Sequence, residues 1–138
     1  MIVIDSSAFS KLLIKEENWE NVARYLKPGQ TICAVDILII ETANVIWKYL
    51  TLHRKITEDQ ALELYGKMIE LTNKEVIITE KGEKFLRRAL ETSIQYKIPV
   101  HDSPFLAFSE SLSATLITSD QKQNTAARNM GLVSIYIE

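Results

Sequence analysis

The chain has 138 residues, 46% of them hydrophobic and 25% charged, with four Gly and three Pro. These values are typical of one ordinary globular domain over residues 1–138, and they exclude a disordered or fibrous chain. Sixteen basic and 18 acidic residues give a net charge of −2, which excludes nucleic-acid binding through a general excess of positive charge.

The distribution of charges and cysteines narrows the class of protein further. No stretch without Asp, Glu, Lys or Arg is longer than nine residues, whereas a membrane span needs about 18. The first residues do not resemble a secretory signal, so we expect a cytoplasmic protein. One Cys and two His cannot build the usual Cys/His zinc cage. A metal site would therefore use carboxylate oxygens, which favour Mg²⁺ or Mn²⁺.

Short runs rich in β-branched residues alternate along the chain with segments of helical periodicity. In chain order, the sequence predicts a strand at 2–4, a helix at 19–26, a strand at 31–35, a helix at 37–47, a helix opening at Thr57, a strand at 75–78, a helix over 85–94, a helix at 104–112, a strand at 115–118, a helix from Asp120 up to Gly131 and a strand at 133–137. This alternation predicts an α/β fold, a three-layer sandwich in which helices flank a five-stranded, mainly parallel sheet.

Capping residues support several of the helix starts. Thr57 and Gln60 form a capping-box pattern, and Asp120 has a glutamine at the equivalent third position. We expect Asp36 to cap the helix that follows the second strand, and Thr79 to cap the helix after the third strand.

Four acidic residues lie where ligands bind in such folds, beyond the carboxyl ends of the parallel strands. Asp5 follows the first strand and Asp120 follows the fourth. Asp102 precedes a helix of about 10 residues, which runs ~15 Å away from this edge, and the next strand returns by ~16 Å. Asp102 and Asp120 should therefore lie at the same level. Glu41 interrupts an apolar segment after the second strand, where an ionised group is rarely buried without a partner.

Four carboxylates in one crevice would repel one another and raise their own pKa values. A divalent cation removes this conflict, because Mg²⁺ binds through a few carboxylates together with substrate phosphate. Such an ion also promotes the attack of water on a phosphodiester. The sequence therefore predicts an acidic metal site suited to an anionic substrate.

Four segments resemble the signature segments of PIN-domain ribonucleases, and in particular of the VapC-type toxins of prokaryotic toxin–antitoxin pairs. They are IDSSAF at 4–9, ETANV at 41–45, HDSPFLA at 101–107 and LITSD at 116–120. The resemblance spans the full chain in the order and approximate spacing of its acids, and AARNMGL at 126–132 fits the closing helix and strand of the family.

The resemblance implies a PIN-like fold and an endoribonuclease dependent on Mg²⁺ or Mn²⁺, most simply the toxin of a type II pair. It assigns the catalytic and metal-binding roles to Asp5, Glu41, Asp102 and Asp120. It also implies that Ser6 and Thr118 support the acids through hydrogen bonds. The implied partners are RNA as substrate, a second copy of the chain and a small antitoxin protein that covers the cleft.

Simpler interpretations exist for the individual residues. Helix capping alone could explain Asp5, Asp102 and Asp120, and Glu41 could face solvent with Asn44 and Lys48 on the same helix face. Capping does not explain why the acids fall at one edge of the sheet. For phosphate contacts the sequence favours Lys11 and Lys15, and it favours an incidental role for His101.

Other functions remain open from the sequence. A housekeeping RNA-processing nuclease would share the same chemistry, and a non-catalytic RNA-binding protein would share the fold. A phospho-acceptor receiver module also has five parallel strands and an acidic Mg²⁺ pocket. The receiver pattern of paired acids near the first strand and a lysine after the fifth is missing here.

Overall fold

The computed structural model describes all residues of the chain, 1–138. The strands are β1 (Ile2–Ile4), β2 (Ile32–Val35), β3 (Ile78–Glu80), β4 (Thr115–Thr118) and β5 (Ser134–Tyr136). The helices are α1 (Ser6–Ile14), α2 (Trp19–Ala23), α3 (Ile37–Thr51), α4 (Glu58–Asn73), α5 (Leu86–Tyr96), α6 (Ser103–Leu112) and α7 (Gln121–Asn129), with a 3-10 helix at Gly82–Phe85 before α5.

The five strands form one sheet in the order β3-β2-β1-β4-β5, and every neighbouring pair is parallel. The chain moves towards β3 through α1 to α4, and it then moves in the opposite direction through α5 to α7. Because such crossovers are right-handed, the two groups of helices cover opposite faces of the sheet. The predicted α/β three-layer sandwich is confirmed.

The hydrophobic core is built around the central strands of the sheet. Every residue of β1 and β2 is buried, and so are the last three residues of β4. Phe9 on α1 and Phe105 on α6 are among the largest fully buried side chains. Strands that are covered on both faces consist of continuous apolar runs, which explains why they were recognisable from the sequence.

The prediction for the third strand was wrong in its position. The ladder pairs Ile78 with Cys33, so β3 begins at Ile78 and not at residue 75. Glu75 takes a left-handed backbone conformation with φ of 54°, and the N–H groups of Val76 and Ile77 both donate to the carbonyl of Leu71. The start of the apolar run therefore closes the end of α4 instead of pairing with the sheet.

Two of the predicted helix caps, Thr79 and Asp36, were wrong. Thr79 belongs to β3 and cannot cap α5, which begins at Leu86 after the 3-10 helix. Asp36 takes a helical backbone conformation and makes no capping bond to α3. Its Oδ1 instead accepts a hydrogen bond from the Gly82 N–H at 3.0 Å, which connects the segment after β2 to the segment after β3.

Other helix boundaries agree more closely with the sequence. The capping box of Thr57 and Gln60 is formed in full at the start of α4, and Asp120 caps α7. The helix predicted at 19–26 ends at Ala23. In the next turn the N–H groups of Tyr25 and Leu26 donate to carbonyls three residues earlier, those of Val22 and Ala23, as in a 3-10 helix.

None of the helices combines the length and the apolar character that crossing a bilayer requires.

Candidate active site

The acids of interest lie around the point where the strand order reverses. β1 lies at the centre of the sheet, between β2 and β4. After β1 the chain continues to β2 and β3 on one side of it, and it then crosses to β4 on the other side. The carboxyl ends of β1 and β4 therefore border a crevice, the usual position of a binding site in open parallel sheets. Asp5 follows β1 directly, and Asp120 follows β4 after Ser119.

Asp5 is buried at the floor of this crevice, with 2% of its surface exposed. Its Oδ1 accepts hydrogen bonds from the Ala8 N–H at 2.9 Å and from the Ser7 hydroxyl at 2.7 Å, and its Oδ2 accepts one from the Thr118 hydroxyl. Burial raises the pKa of Asp5 to about 6, against the lowering effect of the hydrogen bonds from Thr118, Ala8 and Ser7. The site thus holds a carboxyl group that is costly to ionise without a compensating cation.

Glu41 projects towards the crevice from the first half of α3. The Ser6 hydroxyl donates a hydrogen bond of 2.7 Å to its Oε1, and the Glu41 side chain is 22% exposed. Burial raises the pKa of Glu41, with a further contribution from repulsion by Asp102. The simpler interpretation of Glu41 as a solvent-facing residue does not describe this environment.

Asp102 stands at the start of α6, and Asp120 at the start of α7. Asp102 makes no capping hydrogen bond to its helix, whereas Asp120 accepts bonds from the N–H groups of Lys122 and Gln123 at 2.8 and 3.2 Å. Burial raises the pKa of Asp102, and repulsion by Asp120 adds to the effect. Capping therefore accounts for Asp120 and Asp5, but it does not account for Asp102.

The structure brings the predicted acids into one electrostatic cluster. Glu41, Asp102 and Asp120 line a single cleft of about 510 Å³, together with Ser6 and Ser7. Asp5 lies behind the cleft and is connected to it through Ser7. Repulsion from Asp120 acts on Asp5 as well as on Asp102. Glu41 is in turn affected by repulsion from Asp102, so each of the four acids is coupled electrostatically to at least one other.

The second predicted supporting residue, Thr118, connects β4 to the same cluster. Its hydroxyl donates to Asp5, and its Oγ1 accepts the Asp120 N–H at 3.0 Å. Ser7, which the sequence interpretation did not select, makes the matching contact from α1, because its Oγ accepts the Ser119 N–H at 2.8 Å. Each of the two hydroxyls accepts a hydrogen bond from one backbone N–H group and donates one to the Asp5 carboxylate.

Three polar residues that were not predicted as site residues also line the cleft. Asn44 and Lys48 line it from α3, and His101 lines it from the segment before α6. His101 Nε2 lies 3.5 Å from Asp102 Oδ1 and 3.9 Å from Glu41 Oε2. Asn44 and Lys48 follow Glu41 by three and seven residues, a spacing that places them on one helix face. This spacing was the available signal for their role.

The lysines that the sequence favoured for phosphate contacts lie outside the cleft. Lys11 donates to the carbonyl of Glu17 at 3.0 Å, and the Lys15 ammonium lies 5.3 Å from the centre of the Trp19 ring. Both side chains therefore serve the connection between α1 and α2. Neither of them is among the residues that line the acidic cleft.

Three side chains of the cleft have the ligand atoms and the spacing of a cation site. Glu41, His101 and Asp102 each offer a ligand atom, and these atoms lie within 4.8 Å of one another. Two carboxylates and an imidazole are ligands for Mn²⁺, and the carboxylates suit Mg²⁺. Asp120 lies in the same cleft and would supply a further oxygen.

Comparison with known proteins identifies the family of this chain. The family model of the PIN domain matches residues 2–129, and the chain belongs to the PIN domain family. The chain is 24% identical over 121 residues to Ribonuclease VapC3 of Pyrobaculum aerophilum, a match that covers 88% of this chain and 90% of that protein.

Two solved structures share the fold. The crystal structure of VapC20 from Mycobacterium tuberculosis, a toxin that cleaves the sarcin-ricin loop, superposes with a TM-score of 0.69 at 15% identity and covers 99% of both chains. The structure of FitAB bound to an IR36 DNA fragment gives a TM-score of 0.66 at 17% identity, covering 99% of this chain and 94% of that one. The strand order also excludes a receiver module, whose sheet runs 2-1-3-4-5.

Proposed function

We propose that this protein is an endoribonuclease dependent on Mg²⁺ or Mn²⁺ that hydrolyses RNA phosphodiester bonds. The observation that carries the proposal is the clustering of Asp5, Glu41, Asp102 and Asp120 at the reversal of the strand order. Membership of the PIN domain family and the similarity to a protein named as a ribonuclease support the same chemistry.

The residues present fit a divalent cation. Burial raises the pKa values of Asp5, Glu41 and Asp102, and His101 only partly offsets the effect at Glu41 and Asp102. The site therefore carries carboxylates whose ionised form a bound cation would stabilise. Glu41, Asp102 and Asp120 would hold the ion from the walls of the cleft, and Asp5 would face it from the floor. When bound, the ion would lower the pKa of a water molecule and stabilise the charge that develops on the phosphate.

The surrounding side chains position the acids and the substrate. Ser6 orients Glu41 through a hydrogen bond to Oε1, while Ser7 and Thr118 orient Asp5. Lys48 lines the same cleft and makes no salt bridge with a carboxylate within 4.0 Å. Its ammonium group is therefore free to bind a phosphate of the RNA strand near the acids.

The direct test uses purified protein, single-stranded RNA and Mg²⁺ or Mn²⁺. We expect cleavage that leaves a 5′-phosphate, because water attacks the phosphorus and the ribose 3′-oxygen leaves. Attack by the ribose 2′-hydroxyl would instead leave a cyclic phosphate. Asp102→Asn keeps the shape of the side chain but removes its charge, and we expect the rate to fall by about 100-fold or more.

Asp59→Asn is the matched control, since Asp59 is exposed in the first turn of α4. It should retain the activity of the wild-type protein. Full activity of Asp102→Asn, or cleavage that continues in excess EDTA, would contradict the proposal. RNA binding without any cleavage would instead favour a non-catalytic RNA-binding protein.

We further propose that this nuclease is the toxin of a type II toxin–antitoxin pair, acting as a homodimer with a small antitoxin protein over its cleft. The similarity in fold to VapC20, which is described as a toxin, supports this role. Expression of the wild-type chain should arrest growth, and Asp102→Asn should not. Co-expression of a short reading frame encoded upstream should relieve the arrest. Growth that is unaffected by the active enzyme would favour a housekeeping RNA-processing nuclease.

A further inference from the structure

A second concave surface lies beside the acidic cleft, between α7 and the residues that end α5. We call it the α7 groove. It has a volume of about 330 Å³, and its polar or aromatic lining consists of Tyr96, Lys97, Gln121, Lys122, Thr125 and Asn129. The volume lies at the lower end of the range of small-ligand sites, which is about 300–1,000 Å³.

The groove is contiguous with the acidic cleft along the chain. Asp120 lines the cleft, and the next residue, Gln121, lines the groove. Lys122, Thr125 and Asn129 then follow at the spacing of one helix face. The N-terminal end of α7 therefore borders both the cleft and the groove.

The charge of the groove is opposite to that of the cleft. Lys97 and Lys122 are exposed, and neither forms a salt bridge within 4.0 Å. No acidic residue lines the groove, although the whole chain has a net charge of −2. Unpaired cations next to a cluster of acids would attract the phosphates of a polyanion that the acids themselves repel.

The remaining side chains suit a nucleobase. Tyr96 is half-buried, packs against the core and is among the residues that line the groove, and an aromatic ring gives a surface on which a base can stack. Gln121 and Asn129 are exposed amides, which both donate and accept hydrogen bonds to base edges. Bases are available to such contacts in single strands and not in duplexes.

We propose that the α7 groove binds a nucleotide of single-stranded RNA next to the phosphodiester that is cut. Lys97 and Lys122 contact its flanking phosphates, and Tyr96 stacks on its base. This inference rests on the proposed ribonuclease function, and it adds a binding site outside the four acids.

The test measures binding of a fluorescein-labelled single-stranded RNA of about ten nucleotides to the Asp102→Asn protein, which should not cut it. Adding Lys97→Gln and Lys122→Gln should raise Kd by about tenfold, and the slope of log Kd against log salt should fall by about 1.4, because each phosphate contact on a single strand contributes about 0.7. Tyr96→Leu should raise Kd by about fivefold or more, whereas Tyr96→Phe should keep it.

The matched control is Arg24→Gln with Lys27→Gln, which changes the charge equally. Both residues are exposed between α2 and β2, and they line neither the groove nor the acidic cleft. This double variant should keep the affinity and the salt slope, and thermal unfolding should show that both double variants fold.

An unchanged Kd after substitution of Lys97 and Lys122, or equal affinity for duplex DNA, would overturn the inference, and cleavage by the wild-type protein would still support the ribonuclease. If RNA binding depends on these lysines but the wild-type protein does not cut RNA, the proposed function fails and the groove remains a binding site.

Discussion

Asp5 differs from the other three acids in its relation to solvent. It is almost completely buried and accepts hydrogen bonds from Ser7, Ala8 and Thr118, whereas Glu41 and Asp102 keep about a fifth of their side chains exposed. Its orientation is therefore set before any ligand arrives. Ionisation of Asp5 therefore costs free energy, because the charged carboxylate is buried.

This cost predicts a pH-dependent stability without divalent cations. The pKa of Asp5 rises from 3.8 to about 6, so the folded state retains a proton that the unfolded chain has already lost. The stabilising contribution is complete below about pH 4 and is lost as the pH rises through about 6. Asp5→Asn removes this dependence, and at pH 7.5 in EDTA it should be more stable than the wild-type protein by about 3 kcal/mol.

Urea unfolding at pH 4.5 and pH 7.5 measures the effect, with Asp59→Asn as the exposed control. The difference in stability between the two variants should be largest at pH 7.5 and about a third as large at pH 4.5. A gain in stability that is the same at both pH values would contradict the role of the charge.

Lys48 is the lysine that the structure places in the cleft with the acids. If it binds a phosphate of the substrate, Lys48→Gln should raise KM several-fold and leave kcat nearly unchanged, because the contact exists before and during the reaction. Lys48→Arg should restore KM. Steady-state kinetics at two salt concentrations would test this, with Lys27→Gln as the control. A loss confined to kcat would contradict a binding role.

At the scale of single elements, α3 shows how much one helix contributes to the site. Glu41, Asn44 and Lys48 lie on one of its faces and line the cleft, while Leu38, Thr42 and Ile46 are buried on the other. The 3.6-residue period predicts both faces from the sequence. Whether the polar face looks onto solvent or onto other functional groups depends on what packs beside it.

The capping box of α4 is an element whose sequence and structure agree in detail. The Thr57 hydroxyl accepts the Gln60 N–H at 3.2 Å, and the Gln60 side chain accepts the Thr57 N–H at 2.9 Å. Thr57→Ala should therefore lower the free energy of unfolding by about 1 kcal/mol. Urea unfolding measures this, with the exposed Thr51→Ala as the control. Equal stability of the two variants would mean that the box contributes nothing in solution.

At the scale of the whole molecule, the acids come from four distant parts of the chain and meet because the sheet aligns the carboxyl ends of its strands. Asp5 directly follows β1, and Asp120 follows β4 after Ser119. Glu41 lies in the second turn of α3, and Asp102 directly precedes α6. A cation held between them would link elements from both faces of the sheet.

Binding of Mg²⁺ or Mn²⁺ should therefore stabilise the whole fold. At a cation concentration 100 times the Kd, mass action raises the free energy of unfolding by about 2.7 kcal/mol. Thermal unfolding of the wild-type protein should shift upward with added cation, and the Asp102→Asn protein should shift much less. NaCl at the same ionic strength is the control for screening. Equal shifts in the two proteins would contradict a cation site at Asp102.

The sequence by itself determined the class of fold and the position of the acids along the chain. Buried parallel strands are continuous apolar runs, and helix caps are short local patterns, so both are visible within a few residues. The exceptions are local patterns that the fold uses in another way. Residues 75–77 have the composition of a strand, yet they close the end of α4. Thr79 and Asp36 are residue types that cap helices, yet Thr79 belongs to β3 and Asp36 accepts a bond from Gly82.

Only the tertiary structure decided how the acids are surrounded. These surroundings depend on packing between segments up to 113 residues apart in sequence. They include the burial of Asp5, the contact of Ser7 with the end of β4, and the presence of Lys48 and His101 beside the acids. The α7 groove likewise forms only where the end of α5 meets α7. Desolvation and contact distances are properties of the assembled layers, and no local pattern in the chain encodes them.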